Sequence, residues 1–268
     1  NFGSTVDLAQ NLTFTFNQAV LADEQLAQST AWVQTQYIDF KPAIAGSYRW
    51  ADTRTLVFSP AVPLLPSTRY EARLTTQLTY LNARTQGQSI DLEPLTFSTP
   101  EVSVTAIESY WASGAENQPE PRLKLTCNYP VNPADLASKL AVRAESQVKP
   151  RLKSLTAEPQ TALRFTLEGL LPKLGQELTV PCEIARDLRP VNGQLGTSAS
   201  IPVSVYLPDP AQLYILGVRQ EMLNGETVIK VALSQQPVGQ FNLSIVTANY
   251  WDKQPVTGWT TSVEENNI

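Results

Sequence analysis

The sequence predicts an all-β protein built of tandem β-sandwich domains with short helical turns, and three observations predict it. Short runs alternate apolar and polar residues with a period of two, as Leu12-Thr13-Phe14-Thr15-Phe16 does; the 20 prolines fall largely between such runs; and one strand-like pattern recurs at a spacing of roughly 100 residues. A length of 268 residues with 42% hydrophobic side chains is enough to bury a core but exceeds the usual size of one sandwich, so more than one domain is expected.

Taken in chain order, Leu12–Phe16 comes first; at two residues per repeat it has one wet face and one buried face. Val20–Ser29 carries good helix formers and predicts a short helix. Leu56-Val57-Phe58, Tyr70–Leu74 and Leu95-Thr96-Phe97 return to period two and predict strands. Leu123–Val131 repeats the pattern, and Pro133–Leu140 predicts a second short helix, because Asn132 can cap it and Pro133 suits the first helical position.

The repeat is seen when three segments are set side by side. Leu12–Val20 resembles Leu123–Val131 and, more loosely, Ile229–Val238, and their final valines lie 111 and 107 residues apart. Leu64-Leu65-Pro66 before the strand Arg69–Leu74 matches Leu170-Leu171-Pro172 before Glu177–Cys182, at an offset of 106. Both helical candidates come just after the repeated strand. A period of this size is too long for a solenoid and suits one immunoglobulin-like sandwich. The expected spans are 1–101 and 102–207 for two complete sandwiches and 208–268 for a partial or small third β domain. The brevity of the last span predicts a chain cut from something longer.

Composition excludes several function classes. The net charge of −5 and a pI near 4.9, with no Lys/Arg stripe, predict no nucleic-acid partner. No run of about 20 apolar residues exists, so a membrane would be reached only through an anchor outside these residues. The chain has no His, which removes Ser-His-Asp and Cys-His triads and the usual zinc sites. There is no phosphate loop, dinucleotide fingerprint or EF-hand loop. No catalytic residue, metal ligand or cofactor is predicted, and the expectation is a protein that is not an enzyme.

Single residues that invite a functional reading mostly have a structural one. Cys127 and Cys182, 55 positions apart in one predicted domain, suggest either a bridge between two strands or two buried free thiols. Their spacing is like that of the immunoglobulin inter-sheet bridge, without the Trp between them. Trp32, Tyr37, Tyr48, Trp50, Tyr110 and Trp111 could stack sugars, but at strand spacing they read as core. The carboxylate pairs Asp23 with Glu24, Glu116 with Glu120, and Glu264 with Glu265 read as solvated. Asn11 and Asn242 head glycosylation-type triplets on predicted strands.

The stretch Trp50-Ala51-Asp52-Thr53-Arg54-Thr55-Leu56-Val57-Phe58-Ser59-Pro60, continuing through Leu65-Pro66-Ser67-Thr68-Arg69-Tyr70, resembles the Ig-like modules at the front of bacterial α2-macroglobulin-like proteins. Their pattern is a Trp, a turn, a Leu-x-Phe-x-Pro strand, then Leu-x-Pro-x-Thr-x-Tyr; Ile38–Tyr48 also fits. The resemblance implies a periplasmic or envelope-associated protein that inhibits proteases by offering a bait segment and trapping the attacker. In that family the reactive Cys lies in Cys-Gly-Glu-Gln, whereas here Cys182-Glu183-Ile184-Ala185 lacks the Gly and the Gln. The resemblance therefore makes this chain scaffold, with neighbouring domains of the same longer chain as its partners and proteases met only by the intact protein. A surface adhesin or carbohydrate-binding array, and the stalk of an extracytoplasmic enzyme, are the alternatives that similar modules serve.

Overall fold

A computed structural model describes residues 3–78, 80–81, 93–114, 118–142, 150–236, 260, 262–263 and 266. The chain divides into two compact units, one of residues 1–103 with 187–198, the other of residues 104–186 with 199–268. Both are immunoglobulin-like β-sandwiches. Among the described residues no helix is long and apolar enough to cross a membrane.

In unit 1, strands β1 (Leu12–Thr15), β4 (Thr55–Pro60) and β3 (Gly46–Asp52) form one antiparallel sheet in the order β1-β4-β3. Strands β2 (Ile38–Lys41), β5 (Arg69–Leu74) and β6 (Leu95–Ser98) form the other in the order β2-β5-β6. Alternation decides which side chains face inward. Leu12 and Phe14 from β1, Tyr48 and Trp50 from β3, and Leu56 and Phe58 from β4 share one core with Ile38, Phe40, Tyr70 and Phe97 of the second sheet. The filling is aromatic: the Phe40 and Phe58 rings lie 4.8 Å apart and Tyr70 stacks on Phe97 at 5.2 Å. Each such side chain stabilises the fold by about 1.5–3 kcal/mol through burial alone. Helix α1 (Asp23–Ser29) opens after Ala22, with two acidic residues in its first turn where the helix dipole favours them.

The hairpin of β3 and β4 turns at Asp52-Thr53-Arg54. The Asp52 carboxylate accepts the Arg54 N–H at 2.7 Å, which is the side-chain-to-backbone bond that favours Asp in turns. The Arg54 guanidinium in turn donates to the Phe16 and Asn17 carbonyls at 3.1 and 2.8 Å, closing the open end of β1.

Unit 2 repeats the topology. Strands β10 (Arg151–Ser154), β11 (Gln160–Glu168), β8 (Pro119–Val131) and β7 (Val104–Ser113) form one sheet in that order. Strands β13 (Ile201–Leu207), β12 (Leu178–Ile184) and β9 (Leu140–Val142) form the other. In chain order these are immunoglobulin strands A to G, with A, B, E and D opposite C, F and G. Unit 1 has the same B-E-D and C-F-G sheets, its first strand reduced to a parallel bridge between Thr5 and Ser98. The sequence repeat is thus a topological repeat: β1 corresponds to β8, and β5 to β12. Helix α2 (Pro133–Lys139) begins as its sequence predicts, with Asn132 Oδ1 accepting the Ala134 N–H at 2.9 Å and Pro133 in the first turn.

After β13, unit 2 continues into a hairpin, β14 (Ile215–Leu223) and β15 (Glu226–Leu233), joined by Asn224-Gly225 with both residues at positive φ, as a two-residue turn between twisted strands requires. Its base is tied to Trp111 of β7, whose N–H donates to the Ser234 carbonyl at 2.9 Å and whose carbonyl accepts from Gln236 at 2.7 Å. The apolar side chains Ile215, Val218, Met222 and Ile229 of this hairpin are exposed. Of the expected third domain, the hairpin is the described part; most of residues 237–268 lie outside the described residues.

Candidate functional site

The turn between β4 and β5 in unit 1 is held by a connected set of side-chain and backbone hydrogen bonds. It is made by Leu64-Leu65-Pro66-Ser67-Thr68-Arg69-Tyr70. Tyr70 is 2% exposed, and its hydroxyl accepts the Leu65 N–H at 2.8 Å, the corner bond by which a tyrosine at the start of strand F braces the preceding turn. Burial holds the Tyr70 phenol above its ordinary pKa, so it stays neutral. Thr68 donates its hydroxyl to the Pro66 carbonyl at 2.8 Å, and its N–H goes to Thr99 Oγ1 at 2.9 Å. Thr99 donates to the Leu65 carbonyl at 2.7 Å, joining the end of β6 to the corner. Ser67, at φ 43°, is fully buried and directs its N–H to the Pro100 carbonyl.

The Ser67 carbonyl is taken by residues far along the chain. It accepts the N–H groups of Gln194 and Leu195 at 3.1 and 2.7 Å. These belong to residues 187–198, a strap that the chain enters from β12 and leaves into β13 but that completes unit 1. The strap is closed on itself: Asp187 and Thr197 pair through the backbone at 2.9 Å, Thr197 donates to Leu188 at 3.0 Å, and Gly193 donates to Pro190 at 3.0 Å across a turn with Asn192 at φ 63°. Leu188 is fully buried. Gly196 fits because a Cβ there would lie 2.3 Å from Asp187 Oδ1 and 2.5 Å from its Cα. Ser198 fastens the end, giving both its N–H and its hydroxyl to Glu101 Oε2 at 2.9 and 3.0 Å. Nothing in the sequence marks this role: Asp187–Ser198 reads as an ordinary Pro/Asn/Gly loop and falls inside the expected second span.

The equivalent corner of unit 2 lies in residues 170–178, where Leu178 pairs with Leu207 as Tyr70 pairs with Phe97, so the place of the corner tyrosine is taken by a leucine. Here Asp209, in the Pro208-Asp209-Pro210 joint, does what Thr99 does in unit 1. Its Oδ1 accepts the Ala211 and Gly175 N–H groups, each at 2.9 Å, and these bonds hold its carboxyl below the usual carboxylate range. Trp111 is buried beside it, donating its indole N–H to the Pro208 carbonyl at 2.7 Å.

Cys127 and Cys182 occupy strands B and F of unit 2, on its two different sheets, and both are free, buried thiols. Burial pushes the Cys127 thiol up to about 11 and raises that of Cys182, so neither supplies a thiolate nucleophile near neutral pH. Of the aromatics, Tyr48, Trp50, Tyr110 and Trp111 are core; Trp32, half exposed, lies under the Arg49 guanidinium at 5.0 Å. Asp23 and Glu24 are exposed in the first turn of α1, Glu120 pairs with Arg122 at 2.7 Å, and Asn11 is exposed beside β1. Glu116, Glu264, Glu265 and Asn242 lie outside the described residues. Among the described residues no group of three or more Cys, Asp or Glu is placed to hold a metal ion.

The arrangement is therefore one in which a corner bonded within itself is covered by a strap bonded within itself. Comparison with known families matches residues 1–99 to the bacterial Ig-like domain. No curated protein matches the chain.

Proposed function

We propose that a chain carrying a bacterial Ig-like module of this kind is the non-catalytic scaffold of a bacterial α2-macroglobulin-like protease inhibitor, working outside the cytoplasm, in the periplasm or at the cell envelope. The observation that supports this reading most is the fate of the motif residues. Leu56, Phe58 and Leu64 are core, the Pro66 carbonyl and Thr68 hydroxyl bond to each other, and Tyr70 braces the corner. The pattern that resembles the inhibitor modules is thus a recipe for one rigid corner. A trap that changes shape on cleavage needs parts that keep theirs, and modules with internally satisfied corners serve that end. Its partners are then the neighbouring domains of the same longer chain, with proteases met by the intact protein and any membrane contact made by an anchor elsewhere.

The test is to incubate the full-length native protein with an endoprotease and monitor two substrates. Trapping leaves hydrolysis of a small peptide intact while suppressing hydrolysis of a folded protein, because the attacker is enclosed but not chemically blocked. A protease unaffected toward both substrates would move the chain to the stalk or adhesin reading, for which the same modules are suited.

A further inference from the structure

The corner of unit 2 is built like that of unit 1 but is bare. In unit 1, Ser67 and Thr68 are fully buried and the Ser67 carbonyl carries the strap. With Leu178 in the place of Tyr70, their counterparts in unit 2 are Gly175 and Gln176, both exposed, and Leu171 and Leu174 of the same turn are 79% and 75% exposed. Beside them lies a recess of about 280 Å³, lined by Trp111, Leu170, Leu171, Gln176 and Leu178 among others. A single exposed leucine needs no explanation, but two on one turn, with Leu171 lining a mostly apolar recess, form a docking surface. The turn is also held in place, since Asp209 binds the Gly175 N–H at 2.9 Å.

The hairpin of β14 and β15 indicates the occupant. Strand β15 runs in the register of the repeat, with Ile229, Val231 and Leu233 at the positions of Leu123, Leu125 and Cys127 in β8 and of Leu12, Phe14 and Phe16 in unit 1. Its partner β14 precedes it as β7 precedes β8, and their exposed apolar side chains mark the hairpin as the opening pair of a further sandwich. We propose that the corner at residues 170–176 is the docking site for a strap of that further module, the loop between its sixth and seventh strands, supplied by the same polypeptide. The strap would be of the kind that residues 187–198 form on unit 1: a self-bonded loop that offers adjacent backbone N–H groups to a turn carbonyl and covers the turn's apolar side chains. This inference holds whether the whole protein traps proteases or not.

The test uses the full-length native protein. Leu171→Cys is labelled with a maleimide and its rate compared with that of Val62→Cys, a 64% exposed reference position in unit 1. Labelling at position 171 is expected to be about tenfold slower or more, because a docked strap must open before the reagent enters. A benzophenone amino acid at position 171 is then expected to cross-link within the same polypeptide, to a loop beyond residue 236. Equal labelling rates, a cross-link to a second molecule, or one to residues 1–236 overturns the proposal, as does any other pattern.

Discussion

Tyr70 and the two cysteines are buried side chains with opposite obligations. The Tyr70 hydroxyl accepts a backbone N–H that would otherwise lack that partner, and Tyr70→Phe keeps the ring stacked on Phe97 while removing the acceptor. The variant is expected to lose about 1 kcal/mol of stability, measured as a lower urea midpoint at unchanged slope. The thiols of Cys127 and Cys182 ask less of their surroundings, Cys182 donating weakly to the Val180 carbonyl at 3.6 Å, and burial keeps both protonated. Native protein should therefore react with a thiol reagent far more slowly than the urea-unfolded chain, in which both thiols should titrate. A rapid native thiol would contradict the packing described for unit 2. Two thiols that stay silent even after unfolding would show that strands B and F have been bridged, which their places on different sheets of the sandwich make the natural pairing.

At the level of elements, each module is clamped where strand G ends, by Thr99 in unit 1 and Asp209 in unit 2. Asp209 makes the second clamp sensitive to acid. Its folded-state pKa is depressed by the Ala211 and Gly175 N–H groups, so its contribution is present above the unfolded value, near about 3.9, and is lost as pH falls through the lower folded value. Asp209→Asn is expected to be less stable at pH 7, with the difference in urea midpoint from the parent shrinking as the pH is taken below about 4. Elements were the most legible level of the sequence. Period two placed β1, β4, β5 and β6, and the Asn132-Pro133 pair placed α2 within a residue, because these signals are local. Clamps are not local: Thr99 and Leu65 are 34 positions apart, and no periodicity marks a threonine whose hydroxyl closes a turn in another part of the sheet.

For the whole molecule the decisive fact is that residues 187–198 belong in space to unit 1. The repeat made the two sandwiches legible through their common offset, but the strap was illegible, since its four hydrogen bonds to Ser67 and Glu101 use backbone groups, one hydroxyl and one carboxylate that any loop could present. Replacing 187–198 by a short Gly/Ser turn between β12 and β13 should leave unit 2 with its strands and lower the stability of unit 1 by about 2–4 kcal/mol, from the lost burial of Leu188 and the lost bonds. Hydrogen exchange resolved by peptide would check it, with faster exchange concentrated in residues 64–101; faster exchange confined to residues 104–186 would oppose it. The same arrangement sets an order on synthesis. A ribosome releasing roughly 5–20 residues per second frees residues 1–103 several seconds before the strap. The first sandwich must then wait, with its corner unsealed and within reach of chaperones, until most of the second has emerged.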